Sequence, residues 1–282
     1  MQSPFFMAVP AVAWHILFFY IPVVLILILS VIGLPDAAAP LQLTSAHYYY
    51  FMQPLFFKVI FRSLLLALVT AILCLLFAYP IAYCLAMKIN RYKNLFLFFL
   101  ILPFWTSLMV QVYSWFFVLE HNGLINSLLI KMHIINQPLH LLNNMFAIYI
   151  VMVYCYLPFM IMPLYTVLEK IDRRLLEAAA DLGASQWKTF TQITIPLSMP
   201  GIRTGFFLVF IPSFGEFVVP TLLGGGKELF VGSLITQYFL SARNPYLGAA
   251  FTVISCVFLF ASLGLLYWYF KKKTAPLGKE AQ

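Results

Sequence analysis

Residues 169–196 read EKIDRRLLEAAADLGASQWKTFTQITIP and stand between two apolar blocks, 145–168 and 201–223. A plain connection between such blocks needs none of this organisation. Asp172 is placed to cap a helix, the Leu-Leu-Glu-Ala-Ala-Ala run has high helix propensity, and Gly183 suits the left-handed position that ends it. Ser185 is placed to cap a second helix, and Pro196 is expected to stop its continuation. Along the first helix Ile171, Leu175, Ala178, Ala179 and Leu182 line one side, while Arg174, Glu177 and Asp181 lie elsewhere around it. Small alanines beside a glycine turn permit close backbone approach, which suits insertion into a groove of another protein. An amphipathic hairpin resting on a bilayer surface fits the same residues as well.

The blocks on either side define the solvent. Of the 282 residues, 63% are hydrophobic and only 9% charged, whereas soluble domains carry about 25% charged residues. Such a chain lacks the polar groups to cover a water-facing surface. An apolar helix needs about 20 residues to cross a hydrocarbon core, and candidates fall at 12–33, 62–87, 95–119, 145–168, 201–223 and 246–270. The expected fold class is therefore an all-α membrane protein with six spans in one domain, residues 1–282.

Six spans put both termini on one side. Lys88, Arg91, Lys93, Lys170, Arg173, Arg174, Lys188, Lys271, Lys272, Lys273 and Lys279 fall on that side, against Lys58, Lys131, Lys227 and Arg243 on the other. By the positive-inside rule the first side, with both termini and the 169–196 loop, is cytoplasmic. The net charge of +8 does not point to nucleic acid, because the basic residues are scattered between apolar blocks rather than gathered on one face.

Met1 to Ala11 holds no Lys or Arg, so the first block reads as a retained span rather than a secretory signal, although Asp36-Ala37-Ala38-Ala39 loosely imitates a cleavage site. Cys74, Cys84, Cys155 and Cys256 all fall in apolar blocks without a C-x-x-C spacing and read as buried thiols. Tyr48, Tyr49, Tyr50 and Phe51 suit anchors at the headgroup level, and the period of Leu124 to Ile135 suits a short helix on the outer surface.

The order Glu177-Ala178-Ala179, three residues, Gly183, nine residues, Ile193-x-Ile195-Pro196 resembles the EAA loop of bacterial ABC importer permeases, whose form has Leu at the position of Ile195. The resemblance implies the type I importer permease fold, in which this loop's helix docks into a cleft of a cytoplasmic ATPase dimer. It assigns ATPase coupling to Glu177, Ala178, Ala179, Asp181 and Gly183, with Ile193 and Pro196 completing the motif. It also implies a second homologous permease subunit, a periplasmic or surface solute-binding protein, and a place in the bacterial cytoplasmic membrane.

Over nearly the whole chain the resemblance is to spermidine/putrescine permeases, carried by Leu102-Pro103-Phe104-Trp105-Thr106-Ser107 and by Gly215-Glu216-Phe217-x-x-Pro220-x-Leu222-Leu223-Gly224-Gly225. That family commonly has Arg where this chain has Gln111, before Tyr113 and Trp115. Glu216 also stands on its own. A carboxylate inside a span costs about 2.5–3.5 kcal/mol and so faces a cavity or a partner. Pro212, Gly215 and Pro220 around it interrupt the helix and free carbonyls toward a polar path. A polyamine needs carboxylates and carbonyls for its ammonium groups and aromatic faces for cation–π contact. Trp105, Tyr113, Trp115 and Phe214 are the candidate faces, and an ion pair with a companion subunit is the competing role for Glu216. Gly201 and Gly205 have a spacing that suits close helix packing in an assembly.

No Gly-x-x-x-x-Gly-Lys-[Ser/Thr] loop is present, so ATP and Mg belong on a partner ATPase and this chain reads as a transport subunit rather than an enzyme. Neither a His-Glu-x-x-His spacing nor a Gly-x-Ser-x-Gly turn occurs, and no metal site is expected. The alternatives are an importer permease for iron, thiamine or an oxyanion, or a self-sufficient secondary transporter or channel. The last leaves the loop spacing without a purpose, and an anion path finds little basic lining beyond Arg62 and Arg203.

Overall fold

The computed structural model describes residues 4–33, 42–89, 91–226 and 228–274; Asp36 to Ala39, Lys227 and Lys279 lie outside them, and of Lys273 only the backbone is described. With no water in hydrocarbon to pair with N–H and C=O groups, a spanning segment must satisfy its backbone internally, and this chain does so with helices. Five helices among the described residues are long and apolar enough to cross a membrane, or six if one bent pair counts as a span.

Helix α1 runs from Pro4 to Val31 through a π turn at Ile16–Tyr20, and a two-residue antiparallel pairing of Ile32–Gly33 with Gln42–Leu43 follows it. Helix α2 spans Pro54–Lys88, starting ahead of the expected 62 because Phe56, Val59 and Ile60 are buried and carry its inward face further out. Helices α3 (Lys93–Trp105) and α4 (Leu108–Leu119) replace the expected span 95–119. The short helix α5 (Leu124–Lys131) takes up the first part of the period read at Leu124 to Ile135 and stops there, with His133 at a left-handed φ of 57°. Helix α6 occupies Met145–Leu168, the span expected from sequence. Helix α7 is Arg173–Asp181, and α8 runs without interruption from Gln186 to Phe214. The short helices α9 (Val218–Leu223) and α10 (Val231–Thr236) precede α11 (Pro245–Thr274).

Three departures from the sequence reading stand out. The segment before Leu108 bends by 96°. Pro103 has no N–H to continue the ladder, and Ser107 takes extended backbone as the cap of α4. In the second departure Pro196 does not stop a helix. A π turn at Phe190–Thr194 comes just before it, and Pro196 sits in the first turn of the α-helical segment that continues to Phe214. The wider turn absorbs the missing N–H and the ring, so the expected second short helix is the foot of the long helix α8. The same helix ends at Phe214, and the expected continuation to 223 is broken at Gly215.

Helices α2, α6 and α8 pack against one another and hold the core: Leu66, Ala67, Ala71 and Ala78 on α2 meet Val151, Met152, Met160 and Leu164 on α6 and Val209 and Phe210 on α8. Gly201 and Gly205 serve this interior contact rather than an assembly. A Cβ at Gly201 would stand 2.9 Å from the Pro163 carbonyl oxygen, and one at Gly205 would stand 3.1 Å from that of Met160. Helix α1 packs mainly on α11, and the span Val9–Val31 buries none of its most apolar stretch within the chain.

Candidate functional site

The hairpin between α6 and α8 is capped at every open end. Asp172 accepts from the Arg174 N–H at 3.0 Å and Ser185 from the Lys188 N–H at 3.3 Å. At the far end of α7 the Ala184 N–H donates to Ala179 O and the Gly183 N–H to Ala180 O, each at 2.9 Å. This Schellman pattern requires the left-handed φ of +78° found at Gly183.

The apolar side of α7 divides. Ile171 packs on the core and Ala179 is buried, while Leu175, Ala178 and Leu182 face outward together with Gly183 and Trp187. Leu182 is 89% exposed and Trp187 74%. The expected single face is thus an inner edge fixed to the bundle and an outer edge free for a partner. Glu177 and Asp181 are exposed beside that outer edge, and Ile193 and Pro196 are half-buried on α8.

At its base the hairpin is tied down twice. Phe190 meets Tyr79 and Tyr83 edge to face at 5.6 and 5.8 Å, and Tyr79 shares a 3.0 Å hydrogen bond with Ser198. Lys93 donates to Glu169, pairing the start of α3 with the end of α6, and its ammonium lies 5.2 Å from the centre of the Tyr165 ring. The Lys93 hydrogen bond, with a smaller share from Tyr165, holds the Glu169 carboxyl below its ordinary value.

At the other end of α8 lies Glu216, 7% exposed. One carboxylate oxygen accepts from the Tyr156 hydroxyl at 2.7 Å; the other accepts from the N–H groups of Phe217 and Val218 at 3.1 and 2.9 Å. The charge therefore sits at the start of α9, where free backbone donors meet it. Tyr156, on α6, is the partner that sequence reasoning missed. A tyrosine hydroxyl inside a span needs an acceptor, but the sequence does not say which one.

Tyr156 also lines a groove of about 600 Å³ between α4, α6, α8 and the bend, together with Phe104, Gln111, Cys155, Phe159 and Ile211. Gln111 donates to Thr106 Oγ1 at 2.8 Å and to the Pro103 carbonyl, so it closes the bend by satisfying groups that the broken helix leaves open. The aromatic candidates do not gather around Glu216. Phe214 is buried in the core, Trp105 is 74% exposed against Phe98, Tyr113 is exposed on α4, and Trp115 packs on Tyr154 in a separate groove.

A helical bundle with a proline-broken element, a carboxylate held inside and a capped hairpin left open at one end defines a membrane-embedded permease subunit. The chain belongs to the family described as binding-protein-dependent transport system inner membrane components, whose model matches residues 78–274. It is 40% identical over 263 residues to the spermidine/putrescine transport system permease protein PotB of Escherichia coli (strain K12), covering 93% of this chain and 95% of that one. It is also 40% identical over 259 residues to the protein of the same name from Haemophilus influenzae, covering 91% and 90%. A bacterial alginate ABC transporter, solved in complex with alginate pentasaccharide-bound periplasmic protein, has the same fold at a TM-score of 0.72 and 16% identity, covering 96% and 94%.

Proposed function

We propose that the chain forms half of the translocation path of an ATP-driven importer of spermidine or putrescine. The observation that carries this is 40% identity over 93% of the chain to permeases named for that transport. In this reading the outer edge of α7, with Glu177, Ala178, Asp181 and Gly183, docks on a cytoplasmic ATPase dimer that holds ATP and Mg, while the buried Ala179 seats the helix on the bundle behind it. Ile193 and Pro196 set the foot of α8 above it. A homologous permease subunit supplies the other half of the path, and an external solute-binding protein delivers the cargo. The bent pair α3 and α4 counts as the third of six crossings in one domain, with both termini in the cytoplasm of a bacterial cell.

Glu216 supplies a fixed negative charge beside the path. Three donors already occupy its two oxygens, so it acts on an ammonium group through the field and not through a direct ion pair. Trp105 and Tyr113 remain the exposed rings available to the path, whereas Trp115 is half-buried against Tyr154 and Phe214 is absorbed by the core. The test is uptake of labelled spermidine and putrescine by cells whose own importers are deleted and which carry this chain with the ATPase, second permease and binding protein encoded beside it. Uptake that stops when ATP is depleted is the expected result. Absence of polyamine uptake alongside ATP-dependent uptake of ferric ion, thiamine or an oxyanion overturns the proposal.

A further inference from the structure

A second polar feature lies just past Glu216. Between α9 and α10 a groove of about 320 Å³ is lined by Phe217, Thr221, Glu228, Ser233, Thr236 and Gln237. The groove beside Trp115, by contrast, is walled by aliphatic and aromatic side chains. The polar residues are not scattered. Ser233, Thr236 and Gln237 recur at helical spacing along α10 and into the π turn at Gln237–Ser241, so they share one face, and Ser241 continues it. Thr221 on α9 and Ser233 on α10 share a hydrogen bond of 3.3 Å between their hydroxyls, joining the two walls.

The lining of this groove supplies the acceptors that an alkylammonium needs, with the Glu228 carboxylate as the one group that only accepts. An alkylammonium has three N–H donors and no acceptor. Hydroxyl oxygens, the Gln237 amide oxygen and the Glu228 carboxylate are acceptors, and the half-exposed Phe217 ring offers a face for the charge or for the first methylenes. Glu228 already carries a surrogate for such a ligand: Arg62, two turns into α2 and not part of the lining, pairs its Nη1 with Glu228 Oε2. Both side chains are more than a third exposed, 39% for Arg62 and 37% for Glu228. Pairs so solvated are weak, and exchange of the guanidinium for an arriving ammonium carries little cost. The groove stands near the lower limit of about 300 Å³ for small-molecule pockets, so it takes one end of an aliphatic chain.

We propose that this groove binds a terminal ammonium group of the cargo ahead of Glu216, with Arg62 holding the Glu228 carboxylate until the cargo displaces it. The proposal rests on the polyamine reading above. Its test is equilibrium binding of labelled spermidine to the purified complex of both permeases and the ATPase in lipid nanodiscs, without the external binding protein. Glu228→Gln is expected to weaken binding about tenfold, a change of roughly 1.4 kcal/mol. Arg62→Gln is expected to tighten it about threefold, because the competitor is gone. A simple strap between α2 and the α9–α10 loop predicts instead that both variants move the same way, and that result overturns the site. So does unchanged spermidine affinity in both variants. A rise only in the binding-protein concentration that half-saturates ATPase stimulation also overturns it, by giving the groove to a protein contact. Wild-type complex that imports polyamine but binds none in nanodiscs overturns the site alone. Failure of import in the cell assay removes the functional reading and the site together.

Discussion

The α7 hairpin and the Glu216 centre sit at opposite ends of α8 and are built on opposite plans. The caps and turn of the hairpin join residues at most five apart, only its base is tied to α2 and α3, and its outer edge is bare. Glu216 is held in part by Tyr156, sixty positions away in sequence, and is almost wholly enclosed. A locally built element keeps its shape while its surface is given over to a partner. A tertiary centre has no such freedom, since each of its donors is orphaned if the carboxylate goes. Substitutions should therefore separate: hairpin changes act on docking and spare the fold, whereas changes at Glu216 act on the fold first.

The largest effect is expected from Glu216→Ala. It leaves the Tyr156 hydroxyl and two backbone N–H groups unpaired, at about 1–3 kcal/mol for each buried group, and the complex should melt several degrees lower or fail to assemble. Glu216→Gln keeps one acceptor and the volume, and should assemble while transporting poorly; normal transport by it would remove the charge from the mechanism. Next comes Leu182→Asp, which places a charge on the outer edge of α7. It should cost the ATPase contact about 30-fold, the scale of a binding hot spot of about 2 kcal/mol, with an unchanged melting temperature of the permease pair. A melting shift equal to that of Glu216→Ala would erase the distinction between the two ends.

Gly183→Ala should act more weakly. A Cβ there meets nothing within 4 Å, so the cost is only that of a left-handed alanine, about 1–2 kcal/mol. Faster proteolysis within the hairpin, with the rest of the chain protected, is the expected readout. The smallest effect belongs to Glu169→Gln. Since the folded-state value of Glu169 is depressed, its contribution is present above the ordinary carboxylate value of 4.5 and is lost as pH falls through the lower folded one. The variant should match the wild type in acid and fall slightly below it at neutral pH in a melting series.

The same contrast explains what is legible in the sequence. Asp172, Gly183 and Ser185 are readable because capping and handedness are decided within a few residues, and α6 is readable because an unbroken apolar run fixes both its ends. The division of the α7 face is not, since turning Ala179 inward and Leu182 outward depends on how the hairpin leans on the bundle. Nor is the role of Gln111, which depends on a bend that places Pro103 and Thr106 within its reach. The expected stop at Pro196 fails because a π turn is a local adjustment that no residue type in the segment announces. Phe214 is misplaced because a sequence shows that a ring is near a helix end without showing where it points.

Helix α8 joins the two ends as one rod of roughly 43 Å at 1.5 Å per residue. Near its middle, Gly201 and Gly205 lie against the backbone of α6 with no room for a Cβ. Were the helix to turn on that contact, the contact would act as a fulcrum. A tilt imposed at Gln186 would then reappear at Phe214 in the opposite sense. Spin-label distances from Lys188 and Ser213 to fixed positions on α6 would show this as changes in antiphase during ATP turnover. In such a motion the glycines would set the gearing of the subunit, and a side chain added there would shift the fulcrum as well as loosen the contact between the two helices.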